Sequence, residues 1–384
     1  MNRRIRLPGN LVWGRGSITE LVAAVEKEKP DSVLIFTDQG VRDAGLTRQA
    51  EAILTEQNIS FEVIDGLPAE PAWQELDRVL NRIRKLSCGM IVAIGGGSVM
   101  DAAKLCAALL KETAGVMDAV KDNGIIRSRV PLVMIPTTCG TGSEATCNSI
   151  VAVPEENMKI GIVSEVLIPD YVILDSEMVD KLPPHIVAST GIDALAHAVE
   201  CFTSKKATRL SDLYAGEGAR ILFHNLQDAY LHPERTEARE ALQLGAYYGG
   251  AAITSSGTTA VHALSYPLGG RYHIPHGIAN AILFTPVMRA NKQSCQTQLA
   301  SLCDICWPEH YGWEEGKKAG WIVDQIGQLV RGLDIPEKLT RFGVTEEDLE
   351  DLTEAGCQVK RLLDNNRKVF TKEEIKSLYL SVLE

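Results

Sequence analysis

Short apolar runs closed by turn-forming residues mark the first half of the chain, at 32–38, 90–95 and 130–136. The first ends at Asp38 and Gly40, the second in three glycines, and the third in Thr137 and Thr138. Between them lie stretches with helical periodicity, at about 18–28, 41–57, 73–86 and 98–112. Continuous apolar strands alternating with helices predict a parallel sheet covered on both faces. From about residue 181 the pattern changes. Segments of helical period follow one another at 184–203, 208–230, 235–253, 258–266, 277–291, 316–332, 346–364 and 372–383, with no alternating strand among them. The expected architecture is an α/β N-terminal domain over 1–181, with a Rossmann-like parallel sheet, followed by an all-α domain over 182–384. Leu182-Pro183-Pro184 is the expected hinge, because two prolines break a helix and stiffen the crossing. No internal repeat or low-complexity tract interrupts either half.

Size agrees with two domains: 384 residues exceed what one ordinary core organises. The formal net charge of −11 argues against a nucleic-acid partner, which wants a basic face. No apolar run reaches the roughly 18 residues of a membrane span, so no membrane partner is expected. The N-terminus lacks the apolar region of a signal peptide, and Arg3, Arg4 and Arg6 are expected to decorate a first strand. Nine cysteines, an odd number, lie scattered at 88, 106, 139, 147, 201, 295, 303, 306 and 357. So many unpaired thiols fit a reducing cytoplasm. Cys303-Asp-Ile-Cys306 has no second pair and reads as incidental.

The densest chemistry lies in the second half. Asp193 and His197 stand four positions apart in a helical run, so both face one side a turn apart. An oxygen and a nitrogen donor so placed can share one divalent cation, and His262 and His276 can complete the shell. Residue by residue, packing explains them as well: Thr190 and Asp193 fit a capping box, and His197 fits a core imidazole. The segment 262–277 tips the balance. It is dense in Gly and Pro, and holds three of the chain's eight histidines, His262, His273 and His276. An Asp/His/His/His set with open positions suits a catalytic metal, and hence an enzyme.

The strand ends carry a second signal. Gly95-Gly96-Gly97-Ser98-Val-Met-Asp101-Ala-Ala-Lys104 follows a strand and opens a helix. Glycines there let backbone amides approach a phosphate, and the helix N-terminus adds partial positive charge. It is neither GxGxxG nor GxxxxGK, so an ordinary Rossmann or P-loop fingerprint is absent. Thr137-Thr138-Cys139-Gly140-Thr141-Gly142-Ser143 adds hydroxyls at the third strand end. Asp38 is suited to accept from ribose hydroxyls and to repel a 2′-phosphate, which predicts NAD over NADP; alone, it reads equally as a helix cap.

These pieces in this order resemble the iron-containing (group III) alcohol dehydrogenases, whose fold is dehydroquinate synthase-like. The loop 95–104 is similar to the family's GGGSxxDxAK, 136–144 to PTTxGTGSE, and 190–200 to TGxDALxHAxE. The similarity runs from Gly14 to the C-terminal Phe370-Thr-Lys-Glu-Glu-Ile375. The resemblance implies Fe²⁺, with Zn²⁺ as the alternative, on Asp193, His197, His262 and His276. It implies a nucleotide on Asp38, Gly96, Gly97, Ser98, Asp101, Thr137, Thr138, Thr141 and Lys159. The activity implied is NAD(P)-linked oxidation of a small alcohol or hydroxy acid, or the reverse aldehyde reduction, by a homodimer. Two positions depart from the pattern. Tyr266 stands where many members carry a further His, and His273 where many have a small or amide residue. These two are the candidates for proton relay or for shaping the pocket wall. Some hydroxy-acid-oxidising members resemble this HALSYPLGGxxHxPHG variant, which hints at a substrate with an anionic tail. The rival readings are a Zn²⁺ polyol enzyme like glycerol dehydrogenase and a non-catalytic nucleotide-binding regulator. Only an enzyme has use for the metal set.

Overall fold

The computed structural model describes residues 5–156 and 158–384, so Arg3 and Arg4 lie outside the described residues. Two compact units emerge. One is built from Arg6–Thr138 and Gly142–Lys181, the other from Leu182–Glu384 together with Cys139–Thr141.

The first unit holds β1 (Asn10–Trp13), β2 (Ser32–Phe36), β3 (Ser60–Ile64), β4 (Met90–Gly95) and β5 (Leu132–Pro136), then β6 (Asn148–Val153), β7 (Met158–Val163) and β8 (Tyr171–Leu174). Six of them form one sheet in the order β1-β8-β5-β4-β2-β3, every pair parallel. Strands β2, β4 and β5 are buried along their whole length, which is why they read as unbroken apolar runs. Helices Leu21–Glu28 and Arg48–Glu56 close one face, packing Leu21, Val25 and Leu54 onto Val33, Ile35, Val92 and Ile94. The helix expected over 41–57 is broken in two, Gln39–Asp43 and Arg48–Glu56, where Gly45 takes a left-handed φ of 75°. An antiparallel pair, β6 with β7, stands apart from the main sheet. Arg6 precedes β1 and pairs with Glu165 at 3.0 Å.

Order in the sheet positions chemistry. The chain runs outward from β2 to β3, returns to β4, and builds β5 and β8 on the other side. The carboxyl ends of β2, β4 and β5 are therefore neighbours around the reversal, where ligands of such sheets bind.

The second unit is helical throughout. Its helices are Pro184–Thr203, Arg209–Leu231, Thr236–Ser256, Ala260–Tyr272, His276–Asn291, Gln296–Cys306, Glu315–Gly332, Leu349–Gln358, Lys360–Leu363 and Lys372–Ser381. Pro183 and Pro184 open the first of them, at the positions where a missing N–H costs nothing. Gln296–Cys306 was not expected, because its polar approach, Lys292-Gln-Ser-Cys-Gln-Thr-Gln, reads as loop. It carries Cys303 and Cys306, both buried and free, and burial pushes the Cys303 thiol up to about 11. None of the nine cysteines forms a disulfide. No described helix is long and apolar enough to cross a membrane.

Candidate active site

The helix Pro184–Thr203 starts six residues before Thr190. Thr190 is therefore an interior residue whose Oγ1 donates to the Ile186 carbonyl at 2.8 Å, and the capping-box account of Asp193 falls away. Asp193 and His197 project from this helix a turn apart, both buried. His262 sits in the first turn of Ala260–Tyr272, and His276 is the first residue of His276–Asn291, set by Pro275 as its N-cap. Three imidazole Nε2 atoms surround one carboxylate oxygen. His262, His276 and His197 lie 3.4, 3.7 and 3.8 Å from Asp193 Oδ1. The ligand atoms of Asp193, His262 and His276 fall within 4.8 Å of one another. His197 stands beside that cluster, its ring stacked on His262 with centroids 4.5 Å apart.

Close helix packing makes this convergence possible. A Cβ on Gly277 would stand 2.1 Å from the Ser189 carbonyl oxygen, and one on Gly249 would stand 3.3 Å from His197 Cβ. The backbone bearing His276 thus lies directly against the helix that bears Asp193 and His197.

Two residues absent from the sequence-based set complete the centre. Glu200, fully buried, accepts from Thr259 Oγ1 at 2.6 Å and from the Val261 amide at 2.7 Å. Its other oxygen bonds His262 Nδ1. A carboxylate there holds the proton on Nδ1 and presents Nε2 as the ligating lone pair. Glu200 completes the stripe 193, 197, 200 along one helix face, a spacing that could have exposed it. Asn280, one turn beyond His276, donates through Nδ2 to Asp193 Oδ1 at 2.7 Å.

The electrostatics follow from burial among these partners. Burial opposes ionisation of Asp193, but His197, His276 and His262 outweigh it and hold the carboxyl far below its usual range. Burial drives His197 down to about 4, against the pull of Asp193. Burial also disfavours charged His262, yet Glu200 and Asp193 push it up to about 9. In the charged ring the Nε2–H would face Asp193 Oδ1, 3.4 Å away, the position a divalent ion would take from that proton. Three imidazoles and one carboxylate suit a borderline divalent ion better than Mg²⁺ or Ca²⁺. The donor set fits a metal.

Tyr266 packs beside this centre, its ring 5.9 Å from that of His276. His273 lies outside it: exposed, it ends Ala260–Tyr272 in a left-handed conformation, φ 53°. Arg271, the nearby cation on the same helix, is paired with Asp351 at 2.8 Å and Asp348 at 3.3 Å.

In the sheet unit, Asp38, Gly96, Gly97, Ser98, Thr137 and Thr138 gather at the carboxyl ends of β2, β4 and β5. A Cβ on Gly95 would lie 2.6 Å from Val99 Cβ, and one on Gly96 3.3 Å from Thr138 Cγ2, so the loop tolerates glycine alone without shifting. No side chain caps the helix Gly97–Leu109, leaving its first amides for an anionic group. That cradle fits a nucleotide phosphate. Asp38 caps the short helix Gln39–Asp43 through the Val41 amide at 2.9 Å. Ser98 Oγ accepts from the Glu70 amide at 3.1 Å, and Lys159 Nζ pairs with Glu70 at 2.6 Å. Asp101 serves the fold, accepting from Ser143 Oγ and from the Ile150 amide at 2.9 Å. Thr141, half-buried, belongs to the short segment Cys139–Thr141 that groups with the helical unit.

Comparison with known proteins decides the lineage. The family described as iron-containing alcohol dehydrogenase matches residues 8–176, and its C-terminal counterpart, the Fe-containing alcohol dehydrogenase family, matches residues 187–383. The chain belongs to the iron-containing alcohol dehydrogenase family. Among curated relatives, a long-chain-alcohol dehydrogenase of Geobacillus thermodenitrificans is 32% identical over 98% of this chain and 95% of its own length. Among solved structures, a 1,3-propanediol oxidoreductase superposes with a TM-score of 0.95 at 26% identity, covering 100% of both chains. A sulfoacetaldehyde reductase from Bifidobacterium kashiwanohense, solved with NAD⁺, gives 0.88 at 28% identity, covering 100% of this chain and 99% of that one. This alcohol dehydrogenase is thus a metal-dependent, nicotinamide-linked oxidoreductase acting on a small alcohol or aldehyde.

Proposed function

We propose that the enzyme is an Fe²⁺-dependent, NAD-preferring dehydrogenase of short alcohols or hydroxy acids, with Asp193, His197, His262 and His276 as the ligands. The observation that carries this reading is the convergence of three imidazole Nε2 atoms on one carboxylate oxygen. A divalent ion held there supplies a Lewis acid at the alcohol oxygen. Around it, Glu200 keeps the His262 proton on Nδ1, and Asp193 brings one negative charge to three neutral rings. We assign residues 182–384 to metal binding and catalysis and 1–181 to the nucleotide. Gly96, Gly97 and Ser98 would receive its phosphates, with Thr137, Thr138 and Thr141 beside them. Asp101 and Lys159 would act by shaping that loop.

Tyr266, beside His276, is our assignment for the proton relay, and His273 for an outer contact with an anionic tail. The sulfoacetaldehyde reductases among the relatives, one from Bilophila wadsworthia at 29% identity, support that tail. Nine cysteines without a disulfide support a cytoplasmic location. The edge strand β1, with Trp13 60% exposed, supports a homodimer. Metal analysis, followed by NADH formation from alcohols, diols and hydroxy acids on Fe²⁺-reconstituted protein, tests the whole reading. Protein that binds no metal, or oxidises none of these, would overturn it.

Two substitutions separate its parts. Asp38→Ala is expected to relax the preference for NAD toward NADP, seen as a rise in kcat/KM with NADP and little gain with NAD. A wild type that already prefers NADP would remove Asp38 from the ribose. His273→Ala is expected to raise KM for an anionic hydroxy acid far more than for 1-propanol. Equal losses on both would place His273 in packing or proton transfer.

A further inference from the structure

Asn280 touches three of the proposed ligands without being one of them. Its Nδ2 is 2.7 Å from Asp193 Oδ1, 3.2 Å from His262 Nε2 and 3.2 Å from His276 Nε2. One amide nitrogen therefore touches a donor atom on each of three separate helices. The side chain is fully buried. Its orientation is set by charge: at 2.7 Å from a carboxylate oxygen, the carboxamide must present nitrogen, since oxygen there would meet a like dipole. The Oδ1 end is then left buried with no hydrogen-bond partner. A buried acceptor without a protein partner is costly, and an apolar side chain of similar size would remove that cost. Some task at the Nδ2 end must hold the amide in place.

Resting on the metal-centre reading above, we propose that Asn280 is a positioning residue of that centre. Its Nδ2 aligns Asp193 Oδ1 with the Nε2 atoms of His262 and His276, and so sets how tightly the centre grips a divalent ion. The reach of the amide explains the choice of residue. Asn280 lies one turn after His276 on the same helix, so it inherits that helix's position against Asp193. Before an ion is bound, two N–H bonds on one planar group can serve a carboxylate and an imidazole lone pair together, which a hydroxyl cannot, and the carboxylate bond persists once the ion takes the lone pair. Fixing Asp193 Oδ1 from outside the ligand set is the function that partner groups serve at other metal sites, where their loss weakens binding about 10–100-fold.

The test uses the full-length protein and Co²⁺ as the probe. Affinity is measured by competition with a chelator, coordination by the Co²⁺ absorption bands, and thermal midpoints with and without the ion. Asn280→Ala should lower Co²⁺ affinity about 10–100-fold, alter the absorption bands, and shrink the rise in midpoint that the ion produces. Asn280→Asp, nearly isosteric, should do the opposite to that rise: repulsion from Asp193 lowers the metal-free midpoint, and the ion relieves it. It also serves if the alanine variant does not fold. Wild-type affinity and bands in Asn280→Ala would overturn the proposal, as would midpoints lowered equally with and without Co²⁺, the signature of packing alone. Wild-type protein that takes up no Co²⁺ would sink the metal-centre reading itself, and the proposal with it.

Discussion

Replacing His262 by alanine is expected to strip the protein of metal and take alcohol oxidation to background while the sheet unit stays folded. The ring is one of three donors meeting at Asp193 Oδ1. It is also the partner of Glu200, which is fully buried. Its loss removes a proposed ligand and leaves Glu200 with only Thr259 and the Val261 amide. Metal affinity should fall more than about 100-fold, beyond what losing an outer partner alone produces. The helical unit should lose stability, because a buried carboxylate loses one of its three donors. NAD binding, which we assign to the glycine loop in the other unit, should be nearly unchanged. Elemental analysis, turnover and nucleotide titration check the three parts. A variant that keeps full metal and normal kcat would refute the ligand assignment.

Lys104→Met should be the most damaging single change to the fold of the sheet unit. Lys104 is fully buried, with Nζ 3.0 Å from Thr146 Oγ1, 2.6 Å from the Asn148 carbonyl and 3.3 Å from Asp101 Oδ1. It ties the start of β6 to the helix that carries the glycine loop. Methionine fills the volume but strands two acceptors and leaves Asp101 without its cation. Breaking a buried pair from one side costs about 3–5 kcal/mol, to be read from urea unfolding. The pH dependence has a definite sign. Burial pulls Lys104 below its ordinary 10.5, against Asp101. Between its folded pKa and 10.5 the unfolded chain binds more protons, so this lysine makes stability rise with pH there. That contribution should vanish in the methionine variant. Equal stability of the two proteins would mean that other contacts hold the hairpin.

Helix periods and strand-end chemistry were legible because both are local. The run at 184–203 placed Asp193 and His197 on one face, and the helix forms over those same residues. Runs ending in Asp38, Gly95–Gly97 and Thr137 marked three strand ends before their neighbours were known. Glu200 lay on the visible stripe, yet its role depends on His262, 62 positions away. Asn280 stands one turn after His276, but its main partner, Asp193, is 87 positions distant, so its role was not legible. A first strand is expected near Arg6 but its bounds are not legible, since β1, like β8, has only four residues, and β3 gives no clear run because it is only partly buried. Thr190 and Asp193 spelled a helix start that the upstream prolines had already moved to Pro184. The amino-acid order alone determined the fold class, the glycine loop and the Asp193/His197 pair on one helix face, each through residues within a turn or a strand of one another. Tertiary packing alone decided the strand order, the Asp101–Lys104 tie to β6 and the gathering of His262, His276, Glu200 and Asn280 around Asp193. Those depend on which buried polar groups must find one another across the chain.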